Sequence, residues 1–186
     1  MGKITYDIQF YADWHAGSGL SAGMESDSTC LKDSNGLPFL PGRTTKGLLR
    51  TEGERLCALG KYSDELLTWV FGAGENKDKG VTGKQGKVFF TDASLPKSEQ
   101  KALKGKETYL YRNIASTAID KSTGVAKEGS LRVMEVTVPL KLEGVIYVEQ
   151  EKELVREFLH DCLRGVKLLG ANRHRGLGRC EFKLKN

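Results

Sequence analysis

The sequence predicts an α+β domain, and three observations carry that prediction. Lys3 to Tyr11 alternates Ile4, Tyr6, Ile8 and Phe10 with Thr5, Asp7, Gln9 and Tyr11, the period-two pattern of a strand with one buried face. Two stretches, Lys46 to Leu59 and Lys152 to Leu169, carry apolar stripes at helical spacing. Further strand-like runs lie between and after them, at Leu131 to Val148 and at Gly178 to Leu184. Strands and helices are interleaved, with a strand at each end. At 186 residues the chain has room for one domain with one sizeable core.

Each element has its local reason. After the first strand, Asp13 to Asp33 dissolves into glycine, serine and acids and reads as a long loop, a length usually functional or mobile. Asn35-Gly36-Leu37-Pro38 is a turn signal. Thr44 or Thr45 is expected to cap the helix over 46–59, where Leu48, Leu49, Leu56 and Cys57 form an incomplete stripe. Ser63 caps a second helix, Asp64 to Phe71, with Gly72 beyond its end. Residues 72–87 hold five glycines and four lysines and read as a mobile loop. Val88-Phe89-Phe90 is a short buried strand, and the lysine-rich stretch 97–106 has no core stripe. Residues 109–139 read as a long hairpin that turns through Asp120-Lys121-Ser122-Thr123-Gly124. The widest apolar face belongs to the carboxy-terminal helix, which Gly170 is expected to stop.

Composition removes several function classes. No apolar run approaches the roughly 20 residues needed to cross a bilayer. The start, Met1-Gly2-Lys3-Ile4-Thr5-Tyr6-Asp7, puts an acid where a signal peptide needs an apolar stretch, so a cytoplasmic chain is expected. Cys30, Cys57, Cys162 and Cys180 lack zinc-ligand spacing and read as reduced core or half-buried thiols. The net charge of +5 suits a polyanionic partner. There is no GxSxG, no HExxH and no P-loop spacing.

The residues that remain point toward phosphate. Gly170 to Arg179 combines three glycines with Arg173, His174, Arg175 and Arg179, a flexible backbone ringed by guanidinium forks that match phosphate oxygens. Arg43, Thr44 and Lys46 stand where a helix begins, whose free N–H groups would face an anion. Arg112, beside Tyr109 and Tyr111 at the hairpin base, offers charge next to stacking surface, and Lys121 and Lys127 decorate the hairpin's far end. Glu25, Asp27 and Asp33 are loop acids of the kind that bind Mg²⁺ beside phosphates or position a nucleophile. His15, with no paired histidine nearby, reads as a structural or RNA-contacting residue, and His160 as a surface residue of the last helix.

Four blocks, in order along nearly the whole chain, resemble the RAMP superfamily. The first is His15-Ala-Gly-Ser-Gly with Asp33 to Arg50, which holds the Leu-Pro turn, a Pro-Gly and a helix bearing Lys46-Gly47 and Arg50. The second is Phe71-Gly72 with Gly86 to Leu95, and the third is the hairpin from Asn113 through Val138. Gly170 to Phe182 is similar to the closing glycine-rich loop and strand. Within the superfamily the chain looks most like the repeated backbone subunit of type III CRISPR effector complexes. That resemblance implies a modified ferredoxin-like, RRM-type domain with a projecting β-hairpin thumb. It implies as partners a guide RNA, a complementary target RNA and other RAMP subunits. Asp27 matches the family's loop aspartate that cuts target RNA with a divalent metal, here Mg²⁺ or another, so Asp27 is the expected catalytic and metal-binding residue. A catalytically silent RNA-binding subunit, and a guide-precursor endoribonuclease with His15 or a tyrosine as base, stay open beside it. The chain departs from the family in carrying Arg43-Thr44 where two serines are frequent, and Ala171-Asn172 where further glycines are.

Overall fold

Alternation along the first strand organises the molecule. The computed structural model describes residues 1–21, 27–74, 83–150 and 152–185. Along the chain these form β1 (Gly2–Phe10), β2 (Phe39–Leu40), α1 (Gly42–Ala58), α2 (Asp64–Phe71), β3 (Gly72–Ala73), β4 (Lys84–Gln85) and β5 (Val88–Phe90). There follow β6 (Ala93–Ser94), α3 (Lys97–Ala102), β7 (Tyr111–Ser116), β8 (Arg132–Thr137), β9 (Lys141–Val148), α4 (Glu153–Gly165) and β10 (Cys180–Leu184). The main sheet runs β10-β1-β9-β6-β2, with β5 also on β9, and every pairing is antiparallel. Along the chain the strands of this sheet and the two longest helices follow one another as β1, β2, α1, β5, β6, β9, α4 and β10.

The even residues of β1 define the core side. Ile4 pairs Ile146, Ile8 lies between Leu142 and Phe182, and all are buried. Tyr6 faces Gly144, where a side chain would collide with the tyrosine ring, so this glycine is what admits the aromatic. Leu49 and Leu56 of α1 join the same cluster as Val155, Phe158, Leu159 and Cys162 of α4. Gly53 lets the helices approach, since a Cβ there would stand 2.9 Å from the Phe158 ring. The opposite side of the sheet carries charges that answer one another: Lys185 meets Glu143 and Asp7, and Lys141 meets both as well.

Three expectations change. The α1 helix begins at Gly42 rather than Lys46, and neither threonine caps it. The Gly42 N–H donates instead to the Asp92 carboxylate (2.8 Å), so a strand-end acid 50 residues on sets the start. The α4 helix ends at Gly165 rather than Leu169. Beyond it the chain extends and pairs with the last strand, with Cys180 N–H donating to Lys167 O (2.9 Å), and Gly170 serves another purpose described below. The stretch over 72–87 is not all loop: β3 pairs with β4, while residues 75–82 lie outside the described part. Other expectations hold. Ser63 accepts from Leu66 N–H and caps α2, and all four cysteines are free, with only Cys57 short of full burial. No described helix is long and apolar enough to cross a membrane.

One polar cluster ties α4 to the turn after α1. Asp161 accepts from Lys61 Nζ (2.5 Å) and Tyr62 Oη (2.7 Å), and its side chain is 20% exposed. The hydrogen bond from Lys61, followed by that from Tyr62, holds the Asp161 carboxyl below its ordinary range. A carboxylate whose folded pKa is depressed stabilises the fold above its unfolded pKa and loses that contribution as pH falls through the folded one. Asp161→Asn is expected to lower stability by about 1 kcal/mol at pH 7. The difference from wild type should shrink as pH drops below about 3.9, the ordinary aspartate value. Urea unfolding at several pH values checks this, and a gap that does not change with pH contradicts it.

Candidate nucleic-acid interface

The long loop after β1 is pinned rather than loose. Trp14 is buried and exchanges two backbone hydrogen bonds with Thr137 of β8 (3.0 and 2.8 Å), which lays the segment along the hairpin base. Farther on, Ala16 O accepts from Leu31 N–H (2.8 Å) and Ser18 N–H donates to Thr29 O (3.0 Å), so the two limbs of the loop pair with each other. This returns the chain to β8, where Ser28 O accepts from Glu135 N–H (3.0 Å).

Asp27 is exposed at the end of this path. Its N–H donates to Val133 O (2.9 Å) and its Oδ2 accepts from Val133 N–H (2.7 Å). Both bonds go to one residue, which holds the carboxylate toward the far end of the β7–β8 ladder, where Val133 pairs Ala115. Glu25 lies outside the described residues. Asp33 is spent locally: its Oδ1 accepts from the N–H groups of Asn35 and Leu37 (2.8 and 2.9 Å), building the turn in which Gly36 takes φ +77°.

The carboxy-terminal loop lies on the other flank of the same segment. Asp13 O accepts from Gly178 N–H (2.7 Å), and His15 O accepts from Ala171 N–H (3.0 Å). Gly170 and Gly178 have φ of +93° and +74°, and a side chain at either would strike His15 O or Leu169 O. These glycines thus serve close backbone approach as well as turning. Asn172 adopts φ 54°, the left-handed region that asparagine tolerates, so it fills a position where glycine would otherwise be needed. Between Asn172 and Gly176 the Arg173–Arg175 turn stands fully exposed, and Arg173 and His174 share a groove of about 380 Å³ with Leu48 and Thr51 of α1.

The remaining sequence candidates fall into distinct settings. Arg43 and Thr44 are exposed and Lys46 half-exposed on the first turns of α1. The helix end itself is no open anion site, because Asp92 already occupies it and the Pro41 carbonyl accepts from Thr44 and Thr45 N–H (2.9 and 3.2 Å). Arg50 donates to Glu54 (3.0 Å). Arg179 lies by the Tyr11 ring. Lys121 and Lys127 are exposed at the hairpin tip, where Asp120 accepts from Ser122 and Thr123 N–H (2.8 and 3.1 Å) and organises the turn. Arg112 is tied to Asp13, donating from Nε (2.7 Å) and a terminal nitrogen to the same carboxylate oxygen. Tyr111 is not an open stacking surface: Lys32 Nζ sits 4.0 Å above its ring and its hydroxyl donates to Gly36 O (2.8 Å). Tyr109, by contrast, is 79% exposed.

His15 is buried at 3% exposure, with Nδ1 2.7 Å from Glu135 O and Nε2 3.0 Å from Ser28 Oγ. Its ring is fully engaged inside the protein, which is the structural of its two expected roles. Burial also pushes the neighbouring Cys30 thiol up to about 11, so it stays protonated near neutrality. Asp13, Trp14, Ser28, Lys32, Asp92 and Glu135 join the site without standing out in the sequence. A tryptophan inside a polar loop is the one available signal that the loop is anchored. Among the described residues no group of three or more His, Cys, Asp or Glu is placed to hold a metal ion.

Against this geometry stand the comparisons. The model of the RAMP superfamily matches residues 7–181. A chain in the cryo-EM structure of type III-B Cmr-beta bound to cognate target RNA superposes with a TM-score of 0.76 at 13% identity, covering 99% of this chain and 97% of that one. A chain of the apo-state Cmr-beta structure gives 0.71 at 16% identity, covering 98% and 96%. No curated protein matches significantly.

The Arg112–Asp13 pair is asymmetric, with side-chain exposures of 63% and 6%. Removing the arginine strands a buried carboxylate, whereas removing both charges does not. Arg112→Ala is expected to cost about 2 kcal/mol, and adding Asp13→Asn to restore about half of it. Denaturant unfolding of the two variants reads this, and an additive double variant would contradict the pairing.

Proposed function

The chain belongs to the RAMP superfamily, and from that membership we propose that it is a guide-RNA-binding backbone subunit of a type III CRISPR effector complex. In this reading it acts in the cytoplasm with other RAMP subunits, positions complementary target RNA, and cleaves it at Asp27. The observation that carries the cleavage reading is the aim of Asp27, an exposed carboxylate held by Val133 on the β8 arm of the hairpin. The likeness to a chain of Cmr-beta, which is described as bound to target RNA, supports the nucleic-acid partner.

Among the described residues no group of three or more His, Cys, Asp or Glu is placed to cage an ion. That suits Mg²⁺, which keeps several waters and takes one or two carboxylates together with substrate phosphates, and it does not suit a structural ion. Such an ion, when bound, neutralises charge on the scissile phosphate. Asp27 holds it, or takes the proton of the neighbouring 2′-hydroxyl. The 2′-oxygen then bonds to phosphorus as the bond to the 5′-oxygen breaks and that oxygen takes a proton from water, leaving a cyclic phosphate and a 5′-hydroxyl. The guide backbone lies along Arg43, Thr44, Lys46 and the Arg173–Arg175 turn, with Arg50 and Arg179 flanking them. The hairpin, with Lys121 and Lys127, inserts between guide and target. In this reading Arg112 and His15 support the interface from within. The engagement of both His15 ring nitrogens weighs against a precursor-processing enzyme with His15 as base. The alternative reading is a catalytically silent subunit that holds RNA for others to cut.

With the subunit assembled on its guide and given labelled complementary RNA and Mg²⁺, Asp27→Ala should abolish one or more discrete cuts and leave binding intact. EDTA should do the same. Unchanged cutting by the variant would remove Asp27 from the reaction, and no metal-dependent cut in wild type would leave the silent reading. Replacing Lys46, Arg173 and Arg175 with Ala together should lower the log–log salt slope of RNA binding by about 2, near 0.7 for each phosphate left without its cation. An unchanged slope would take these residues off the RNA.

A further inference from the structure

His15 is more than a filled core position. A carbonyl only accepts, so Nδ1 carries a proton and donates to Glu135 O (2.7 Å). In the neutral ring this leaves Nε2 as the acceptor for the Ser28 hydroxyl at 3.0 Å. Gly17 keeps that edge of the ring open, since a Cβ there would stand 3.1 Å from Nε2. Ser28 follows Asp27 directly, and its carbonyl is bound by Glu135 N–H (3.0 Å). Ser28 is therefore held at two points, by the imidazole and by β8, while Asp27 is held at two points by Val133. Successive residues clamped to one strand cannot rotate independently.

We propose that His15, acting through the Ser28 hydroxyl, is a positioning residue that sets the direction of the Asp27 carboxylate. The proposal rests on the reading of Asp27 as the cleaving residue. A histidine that merely filled space would need no hydroxyl on Ser28. A histidine that positions Asp27 needs that hydroxyl specifically, and loss of it should slow chemistry without weakening RNA binding. Because His15→Ala would empty a buried site and risk misfolding, the test turns on Ser28, which is only half-buried.

The assembled complex, carrying wild type, Ser28→Ala, Ser28→Thr or Asp27→Ala, would be given saturating complementary RNA and Mg²⁺ in single turnover. RNA affinity would be measured separately. Ser28→Ala is expected to cut about tenfold to a hundredfold more slowly, the scale of a small misplacement of a catalytic group. Its RNA affinity should match wild type, and Ser28→Thr, which keeps the hydroxyl, should recover most of the rate. Hydrogen exchange supplies a readout independent of activity: the Asp27 amide, bonded to Val133 O, should exchange about fivefold faster in Ser28→Ala. Three results would overturn the proposal while leaving Asp27 in place: wild-type cutting by Ser28→Ala, equal losses of rate and affinity, or no recovery with threonine. Full cutting by Asp27→Ala would instead sink the underlying reading, and the proposal with it.

Discussion

The segment Asp13–His15 is bonded along both edges, and the rest of the interface hangs from it. On one side Trp14 exchanges backbone hydrogen bonds with Thr137; on the other the carbonyls of Asp13 and His15 accept from Gly178 and Ala171. A single extended stretch is thus shared between the hairpin and the glycine-rich loop, two parts of the chain that are otherwise well separated in sequence. Backbone groups buried in this way must find partners, because leaving one unmet costs as much as the bond itself is worth. Two of its side chains meet the same demand, while the buried Trp14 Nε1 has no hydrogen-bond partner among the described residues. The buried Asp13 carboxylate is met by Arg112, and the buried His15 ring by Glu135 O and Ser28. Displacing this segment would therefore disturb the hairpin, the Asp27 limb and the closing loop together.

What the sequence discloses is whatever local rules decide. The alternation of β1 is visible because one face of a half-buried strand must be apolar over its whole length. Ser63 is visible as a cap because its partner, Leu66 N–H, is three residues away. The helix ends that differ from expectation are those set from afar. Asp92 starts α1 from across the sheet, and pairing of Lys167 with Cys180 unwinds the end of α4. The candidate site divides in the same way. Its cations and loop acids can be picked out by residue type, but the anchors cannot. Arg112 and Glu135 stand 99 and 120 residues from the partners they hold, and no periodicity links residues at that range.

Placement also sorts the basic residues, which composition cannot. Arg50, Arg55, Lys61 and Lys87 are each answered by a carboxylate within 3.0 Å. Among the described residues Arg43, Lys46, Arg173 and Arg175 make no ion pair with a side chain of this chain. These four stand at the start of α1 and on the closing loop, whose Arg173 and His174 share a groove with the next turns of that helix.

Asp92 sharpens that contrast. A helix start with open N–H groups would draw any small anion, and the acid that fills it removes this option from α1. What is left for a polyanion is side-chain charge on flexible stems. Such charge can follow a backbone of regularly spaced phosphates but holds a single phosphate poorly. Asp27 is an exposed acid in a chain of net positive charge. Its N–H and one carboxylate oxygen are both bonded to Val133, which ties the residue to β8.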